Sequence, residues 1–145
     1  MKTLTEPVGI EIDWFDGSTI AEITNSETGL RIVLQAAGGA GPYAEVHFPF
    51  VRAFQAMDEG DMVGLIDTSL SNRHGAFRVL EGGWKDAVSN QYLKVSSAVS
   101  EFHEWLVVSD IGQMVSVISY YAPHVRQYGP EPNYSIKPNP HQDGA

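Results

Sequence analysis

The chain has 145 residues, a formal net charge of −9, 43% apolar and 19% charged residues, and no cysteine. This length fits one domain with one core, and the composition is far from that of disordered chains. The lack of cysteine excludes disulfide frameworks, thiolate nucleophiles and cysteine-ligated zinc sites. No segment approaches the roughly 20 apolar residues of a membrane-spanning helix, and residues 1–9 lack the apolar run of a secretory signal. We therefore expect a soluble, cytoplasmic protein without a membrane partner.

Negative charge is concentrated in the first half of the chain. Residues 1–67 contain eleven acidic residues against three basic ones, whereas the rest of the chain contains seven against six. Binding of nucleic acid normally requires a basic stripe, so this charge predicts no nucleic-acid partner. It favours a basic protein partner, because complementary charge speeds encounter.

Residues 8–35 predict a three-stranded antiparallel meander. Apolar and polar residues alternate from Val8 to Trp14, a pattern typical of a half-buried strand. Asp16-Gly17 suits a two-residue hairpin turn, followed by a strand over residues 18–25. A second turn over residues 26–29 leads to a third strand over residues 30–34.

The turns of this meander set a register that collects acidic residues on its outer face. The expected inner pairs are Ile10–Ile23, Ile12–Ala21, Ile23–Ile32 and Ala21–Leu34. On the outer face, Glu11 falls directly opposite Glu22, Asp13 lies on the same side, and Arg31 is diagonal to Glu22. Opposed like charges destabilise a strand pair by a few tenths of a kcal/mol, so this face should gain from a cationic partner.

The middle of the chain predicts a loop, a strand, an acidic turn and a short helix. The glycine-rich residues 36–42 form the loop, and alternation from Ala44 to Phe50 indicates a strand. This strand is expected to continue over residues 51–57 after a kink at Pro49. The turn Asp58-Glu59-Gly60-Asp61 precedes apolar residues at helical spacing over residues 61–70.

The second half predicts further strands over residues 76–81, 92–97, 104–109 and 113–119. Asp110-Ile111-Gly112 joins the last two in a hairpin, and residues 98–105 fit either a helix or a strand. The fold class is therefore mainly β, with α+β as the alternative: an antiparallel sheet or sandwich of about seven to nine strands, with the N-terminal meander and at most one or two short helices. We expect one domain over residues 1–128 and an extended, proline-rich tail over residues 129–145.

The chain contains no strong catalytic, cofactor or metal motif. The acidic residues around Asp58, Glu59, Asp61 and Asp67 lack the spacing of a calcium loop, so a solvated turn is favoured over a metal site. His103 and Glu104 are neighbours in a strand pattern and would not act together as acid and base. We predict no catalytic residue, no cofactor and no metal.

The three tryptophans allow different interpretations. Trp14 and Trp105 fall in strand patterns and are expected in the core. Gly82-Gly83-Trp84 either presents an exposed indole to a partner or forms a turn followed by a core tryptophan.

Four segments are similar to small uncharacterised bacterial proteins, some of which are immunity or antitoxin partners of polymorphic toxins. These segments are residues 51–61 (VRAFQAMDEGD), 79–84 (VLEGGW), 104–110 (EWLVVSD) and 115–119 (VSVIS). The resemblance covers about residues 44–128. It implies a non-enzymatic binding role without any transferable catalytic residue.

The preferred hypothesis is an immunity-like inhibitor of a basic toxin domain, such as a nuclease. Its partner-binding residues are predicted to be Glu11, Asp13, Glu22, Asp58, Glu59 and Asp61. The alternative is a small-molecule-binding or enzymatic β-barrel with a site at its mouth, where Tyr92, His103 or Arg78 converge on an apolar pocket. A third hypothesis is a homo-oligomeric scaffold with an exposed strand edge and an apolar patch.

Overall fold

A computed structural model describes residues 3–39, 41–58, 73–85 and 102–129. These residues contain nine strands: β1 (Leu4–Glu11), β2 (Thr19–Ser26), β3 (Gly29–Gln35), β4 (Tyr43–Phe48), β5 (Ala53–Asp58), β6 (His74–Glu81), β7 (His103–Val108), β8 (Gln113–Ser119) and β9 (His124–Tyr128). They form a five-stranded sheet in the order β1-β6-β7-β8-β5 and a four-stranded sheet in the order β2-β3-β4-β9. Every pairing is antiparallel, which confirms the predicted mainly β class.

Some predicted elements lie outside the described residues. These are the helix over residues 61–70, the strand over residues 92–97, residues 98–101 of the ambiguous stretch and the tail beyond Gly129. Within the described ranges, no helix has the length and apolar character needed to cross a membrane.

Both sheets contribute to one hydrophobic core. In the four-stranded sheet, alternate residues of β3 and β4 belong to the core cluster, as the predicted alternation requires. In the five-stranded sheet, Trp105, Leu106, Val107 and Val108 of β7 are all at most 4% exposed, so both faces of this central strand are covered. The rings of Phe48 and Trp105 lie 6.5 Å apart between centroids and connect the sheets. The prediction of a core position is confirmed for Trp105, whereas Trp14 is only partly buried against the cluster.

The prediction of an N-terminal meander is wrong for its first strand. β1 pairs with β6 rather than β2, and the two strands β1 and β2 belong to different sheets. The expected pairs Ile10–Ile23 and Ile12–Ala21 therefore do not form. Glu11 pairs with His74, so its predicted position directly opposite Glu22 is also wrong.

Residues 12–18 form a crossing between the sheets instead of a hairpin at Asp16-Gly17. Two tight turns follow each other, because the Phe15 amide donates to the Ile12 carbonyl at 3.2 Å and the Ser18 amide donates to the Phe15 carbonyl at 2.9 Å. These turns bury both Ile12 and Phe15 in the core. Ile12 and Phe15 are three residues apart, so they do not follow the alternation of a strand. The burial of both side chains offsets the preference of Asp16-Gly17 for a hairpin turn.

The second half of the meander is largely confirmed. Ile23 pairs with Ile32, and residues 26–29 form the turn, since Ser26 pairs with Gly29. The pair Ala21–Leu34 is wrong, because a β-bulge between Ile20 and Glu22 places Ile20 opposite Leu34.

Pro49 marks a change of sheet rather than a kink within one strand. β4 pairs with β3 and β9, whereas β5 pairs with β8 at the edge of the other sheet. The hairpin through residues 110–112 is confirmed, and β8 has the predicted bounds Gln113–Ser119. Sequence patterns gave no indication of β9, which pairs with β4 and stacks Tyr128 on Tyr43 at 4.8 Å between ring centroids.

The edge strands β1 and β9 approach each other closely at Gly9. A Cβ atom built at Gly9 would lie 2.9 Å from Cβ of Val125, which is closer than real Cβ contacts. Nearby, the Trp14 indole donates to the Gln127 side-chain oxygen at 3.0 Å, and the Gln127 amide donates to the Glu11 carbonyl at 3.2 Å. These contacts join one edge of each sheet.

We expect Gly9→Ala to destabilise the protein more than Gly38→Ala. Both glycines have nearly the same φ, +82° and +83°, and alanine there costs about 1–2 kcal/mol of backbone strain. Gly38 has no atom within 4 Å of a built Cβ, whereas Gly9 meets Val125. The overpacked contact should lower the free energy of unfolding by about 1–3 kcal/mol more in the Gly9 variant. Urea unfolding measures both variants, and equal losses would contradict the close approach of β1 and β9.

Candidate functional site

One end of the five-stranded sheet collects acidic side chains. We call this surface the acidic end, and its described members, all exposed, are Glu11, Asp13, Asp16, Asp58 and Asp110. Glu11 is the last residue of β1 and pairs with His74, the first residue of β6. At the opposite edge, Asp58 is the last residue of β5 and pairs with Gln113, the first residue of β8. Four strand spacings separate these edges, so the acidic end is about 19 Å wide.

Hydrogen bonds between three segments hold the centre of the acidic end in place. The Gly17 amide donates to Oδ2 of Asp110 at 2.7 Å, and the Asp110 amide donates to Oγ of Ser18 at 3.1 Å. Arg73 donates to Oδ2 of Asp16 at 2.7 Å, while its own carbonyl accepts from the Ile12 amide at 2.9 Å. The surface is therefore ordered before any partner arrives.

The acidic end is built as an extended surface rather than a metal cage. Among the described residues, no group of three or more histidine, aspartate or glutamate side chains converges closely enough to hold a metal ion. Ile111, which is 56% exposed, lies beside Asp110 in the β7–β8 turn. An exposed apolar side chain next to a charged one is compatible with a protein interface, in which apolar groups lie within a polar rim.

Glu22 lies apart from the acidic end, in the four-stranded sheet. Its carboxylate accepts a hydrogen bond from Arg31, which also donates to Glu45. Arg31 pairs with Thr24, so its predicted diagonal position relative to Glu22 is confirmed. Glu45 is 1% exposed, and Arg31 compensates part of the cost of burying its charge. These contacts do not test the predicted partner-binding role of Glu22. They do show that Arg31 balances part of its charge within the protein.

The remaining predicted acids, Glu59 and Asp61, lie outside the described residues, as does Tyr92. The structure adds Asp16 and Asp110 to the acidic end, whereas the sequence assigned both residues only to turns. The sequence signal that could have found them is weak, because their grouping depends on the pairing of β1 with β6.

A polar pocket of about 250 Å³ lies at the opposite end of the same sheet. Its lining includes Arg78, Glu81, Lys85, Phe102, His103 and Glu104, and we call it the Arg78 pocket. Val79 of β6 pairs with Glu104 of β7. The last residues of β6 and the first residues of β7 therefore meet at the pocket. Arg78 and His103 were candidates for a pocket in the alternative hypothesis, whereas Lys85 and Phe102 had no sequence signal.

Arg78 determines which nitrogen of His103 carries a proton. Nη2 of Arg78 lies 3.1 Å from Nδ1 of His103, and because arginine can only donate, Nδ1 is the acceptor. Burial, followed by the positive charges of Arg78 and Lys85, lowers the pKa of His103 below its ordinary value of 6.5. At neutral pH the ring is therefore uncharged with its proton on Nε2, and it offers a hydrogen-bond donor to the pocket rather than a base.

Glu104 has a structural role beside this pocket. It is 3% exposed, and its carboxylate accepts hydrogen bonds from the amides of Trp84 at 3.0 Å and Lys85 at 2.7 Å. A Cβ at Gly83 would lie 2.4 Å from Oε1 of Glu104, so only glycine leaves room for the carboxylate. Gly82-Gly83-Trp84 thus forms a turn that Glu104 holds, and the Trp84 side chain is partly buried.

His103 and Glu104 contact different groups. His103 meets Arg78, and Glu104 meets backbone amides, as expected for neighbours that do not act as an acid–base pair. The pocket thus presents hydrogen-bond donors of Arg78, His103 and Lys85 to its interior.

Comparison of this chain with protein-family models, with curated proteins and with solved structures found no match. The resemblance to small bacterial proteins of the immunity type therefore stays a prediction.

We expect the imidazole of His103 to titrate below pH 6.5, because the uncharged ring is favoured in the folded protein. Removing the positive charge with Arg78→Gln should move the midpoint upward, though not fully, since burial persists. In the wild-type protein, the unfolded chain binds this proton more readily than the folded one. Protonation of His103 therefore lowers the free energy of unfolding as the pH drops through and below 6.5. An NMR titration of the His103 ring measures the midpoint in both proteins. A wild-type midpoint above 6.5 would contradict the assigned environment.

Proposed function

We propose that this protein is a non-enzymatic binding protein that recognises a basic protein domain through its acidic end. The carrying observation is the convergence of Glu11, Asp13 and Asp58 with Asp16 and Asp110 at one end of the sheet. Arg73 donates to Asp16, so part of the charge of this carboxylate is balanced within the protein. A surface of this sign attracts a cationic partner and repels an anionic one.

Three features support a protein partner over a metal or a small cation. The carboxylates extend across about 19 Å, the distance between the two edges of the sheet. Exposed Ile111 supplies an apolar contact among them. The hydrogen bonds of Asp110 with Gly17 and Ser18 reduce the ordering needed on binding.

The partner that fits this surface best is a basic toxin domain, such as a nuclease, whose cationic substrate-binding face the acidic end would cover. This is the immunity-like role implied by the resemblance of residues 44–128 to small bacterial proteins, some of which are immunity or antitoxin partners of toxins. A cytoplasmic location agrees with such a role. Glu59 and Asp61, which follow Asp58 in the chain, stay predicted partner-binding residues outside the described ranges.

Neutralising the acidic end should slow association with the basic partner. We propose the triple variant Glu11→Gln, Asp13→Asn, Asp58→Asn, whose side chains are exposed and whose loss leaves the core intact. The association rate constant at low salt should fall by about tenfold, because steering by surface charge contributes 10- to 1,000-fold to such rates. The difference from the wild type should shrink at high salt.

A matched control distinguishes the effect of where the charge is removed from the effect of how much charge is removed. The variant Glu6→Gln, Glu27→Gln, Glu81→Gln removes three exposed carboxylates away from the acidic end. The partner is first captured with the wild-type protein from the native organism, and association is then measured by stopped flow at two salt concentrations. Equal slowing by both triple variants would contradict a localised binding surface, and so would a partner without excess positive charge.

A further inference from the structure

The Arg78 pocket presents hydrogen-bond donors from three side chains. Arg78 uses Nη2 on Nδ1 of His103, and the remaining guanidinium donors are accessible because the side chain is 39% exposed. His103 carries its proton on Nε2, and Lys85 adds an ammonium group to the lining. Converging donors of this kind recognise carboxylate or phosphate groups.

Nearby carboxylates do not cancel this character. Glu104 is directed at the amides of Trp84 and Lys85. Glu6 lies 3.9 Å from Nη1 of Arg78, and both side chains are exposed enough for solvent to weaken the pair. Glu81, also in the lining, is exposed. Burial lowers the pKa of His103 most, and the positive charges of Arg78 and Lys85, which lie near its ring, lower it further.

An aromatic ledge adjoins the donors. Phe102 lines the pocket and meets Tyr120 edge to face, with ring centroids 5.9 Å apart. Tyr120 in turn contacts Tyr121 at 5.1 Å, and Tyr121 lies 6.2 Å from Phe50. The hydroxyl of Ser119 donates to the Phe50 carbonyl at 2.5 Å, which ties these two loops together. Phe102 is the ring of this ledge that lines the cavity, and it supplies an apolar face on one side of a polar pocket.

We propose that the Arg78 pocket binds a small anionic metabolite whose carboxylate or phosphate group meets Arg78, Lys85 and Nε2 of His103, and whose planar apolar part packs on Phe102. A cavity of about 250 Å³ has the volume of about eight water molecules, so the ligand has a similar number of non-hydrogen atoms. This binding site is separate from the acidic end, because Arg78 lies four residues from His74 along β6, a distance of about 13 Å.

Four probes test the proposal: benzoate, phenyl phosphate, acetate and inorganic phosphate. We expect saturable binding of benzoate or phenyl phosphate at millimolar concentrations, with shifts of the His103 ring signals in NMR spectra of the wild-type protein. The probe that binds more tightly shows whether the pocket prefers a carboxylate or a phosphate group. The matching probe without a ring should bind about fivefold more weakly, because it lacks the contact with Phe102.

Two variants with the same loss of charge complete the test. Arg78→Gln should weaken binding about tenfold, whereas Arg126→Gln, which changes an exposed residue of β9 in the other sheet, should leave it unchanged. Circular dichroism checks that both variants are folded, and Lys85→Gln replaces Arg78→Gln if the latter is not. The absence of saturable binding to the wild type would overturn the proposal, and so would equal affinities of the Arg78 and Arg126 variants. Equal affinity with and without the ring would overturn the contact with Phe102.

Discussion

The pairing of β1 with β6 is the constraint on which the rest of the structure depends. It takes the first strand away from β2 and forces residues 12–18 to cross between the sheets, where Ile12 and Phe15 become part of the core. The crossing also brings Gly17 and Ser18 to Asp110, so the β7–β8 turn is held against the loop that follows β1. Without this pairing, neither the acidic end nor the ordered loops around it would form.

The same pair of strands connects two surfaces of opposite character. Glu11 meets His74 at the acidic end, whereas Leu4 meets Glu81 beside the Arg78 pocket. Because both strands run between these ends, about 13 Å of extended backbone separates Arg78 from His74 at the acidic end. A chain with a net charge of −9 can therefore offer a local site for anions as well as a broad surface for cations. Net charge alone conceals this division.

Local patterns predicted what is local in the structure. The strand over residues 113–119 and its hairpin follow from alternation and turn residues, and the pair Ile23–Ile32 follows from the turn at residues 26–29. The partner of β1 could not be predicted, because it lies more than sixty residues away and Asp16-Gly17 alone favours a hairpin. Glu11, Asp13 and Asp58 were recognised individually, but their grouping, like that of His103 with Lys85 and Phe102, depends on non-local pairing.

Backbone NOEs between β1 and its neighbour measure this constraint most directly. The account predicts contacts across β1 and β6, at Glu6 with Arg78 and at Val8 with Ala76. It predicts none between β1 and β2. Contacts of Ile10 with Ile23 would instead restore the N-terminal meander, place Glu11 beside Glu22, and contradict both the acidic end and the separation of the two surfaces.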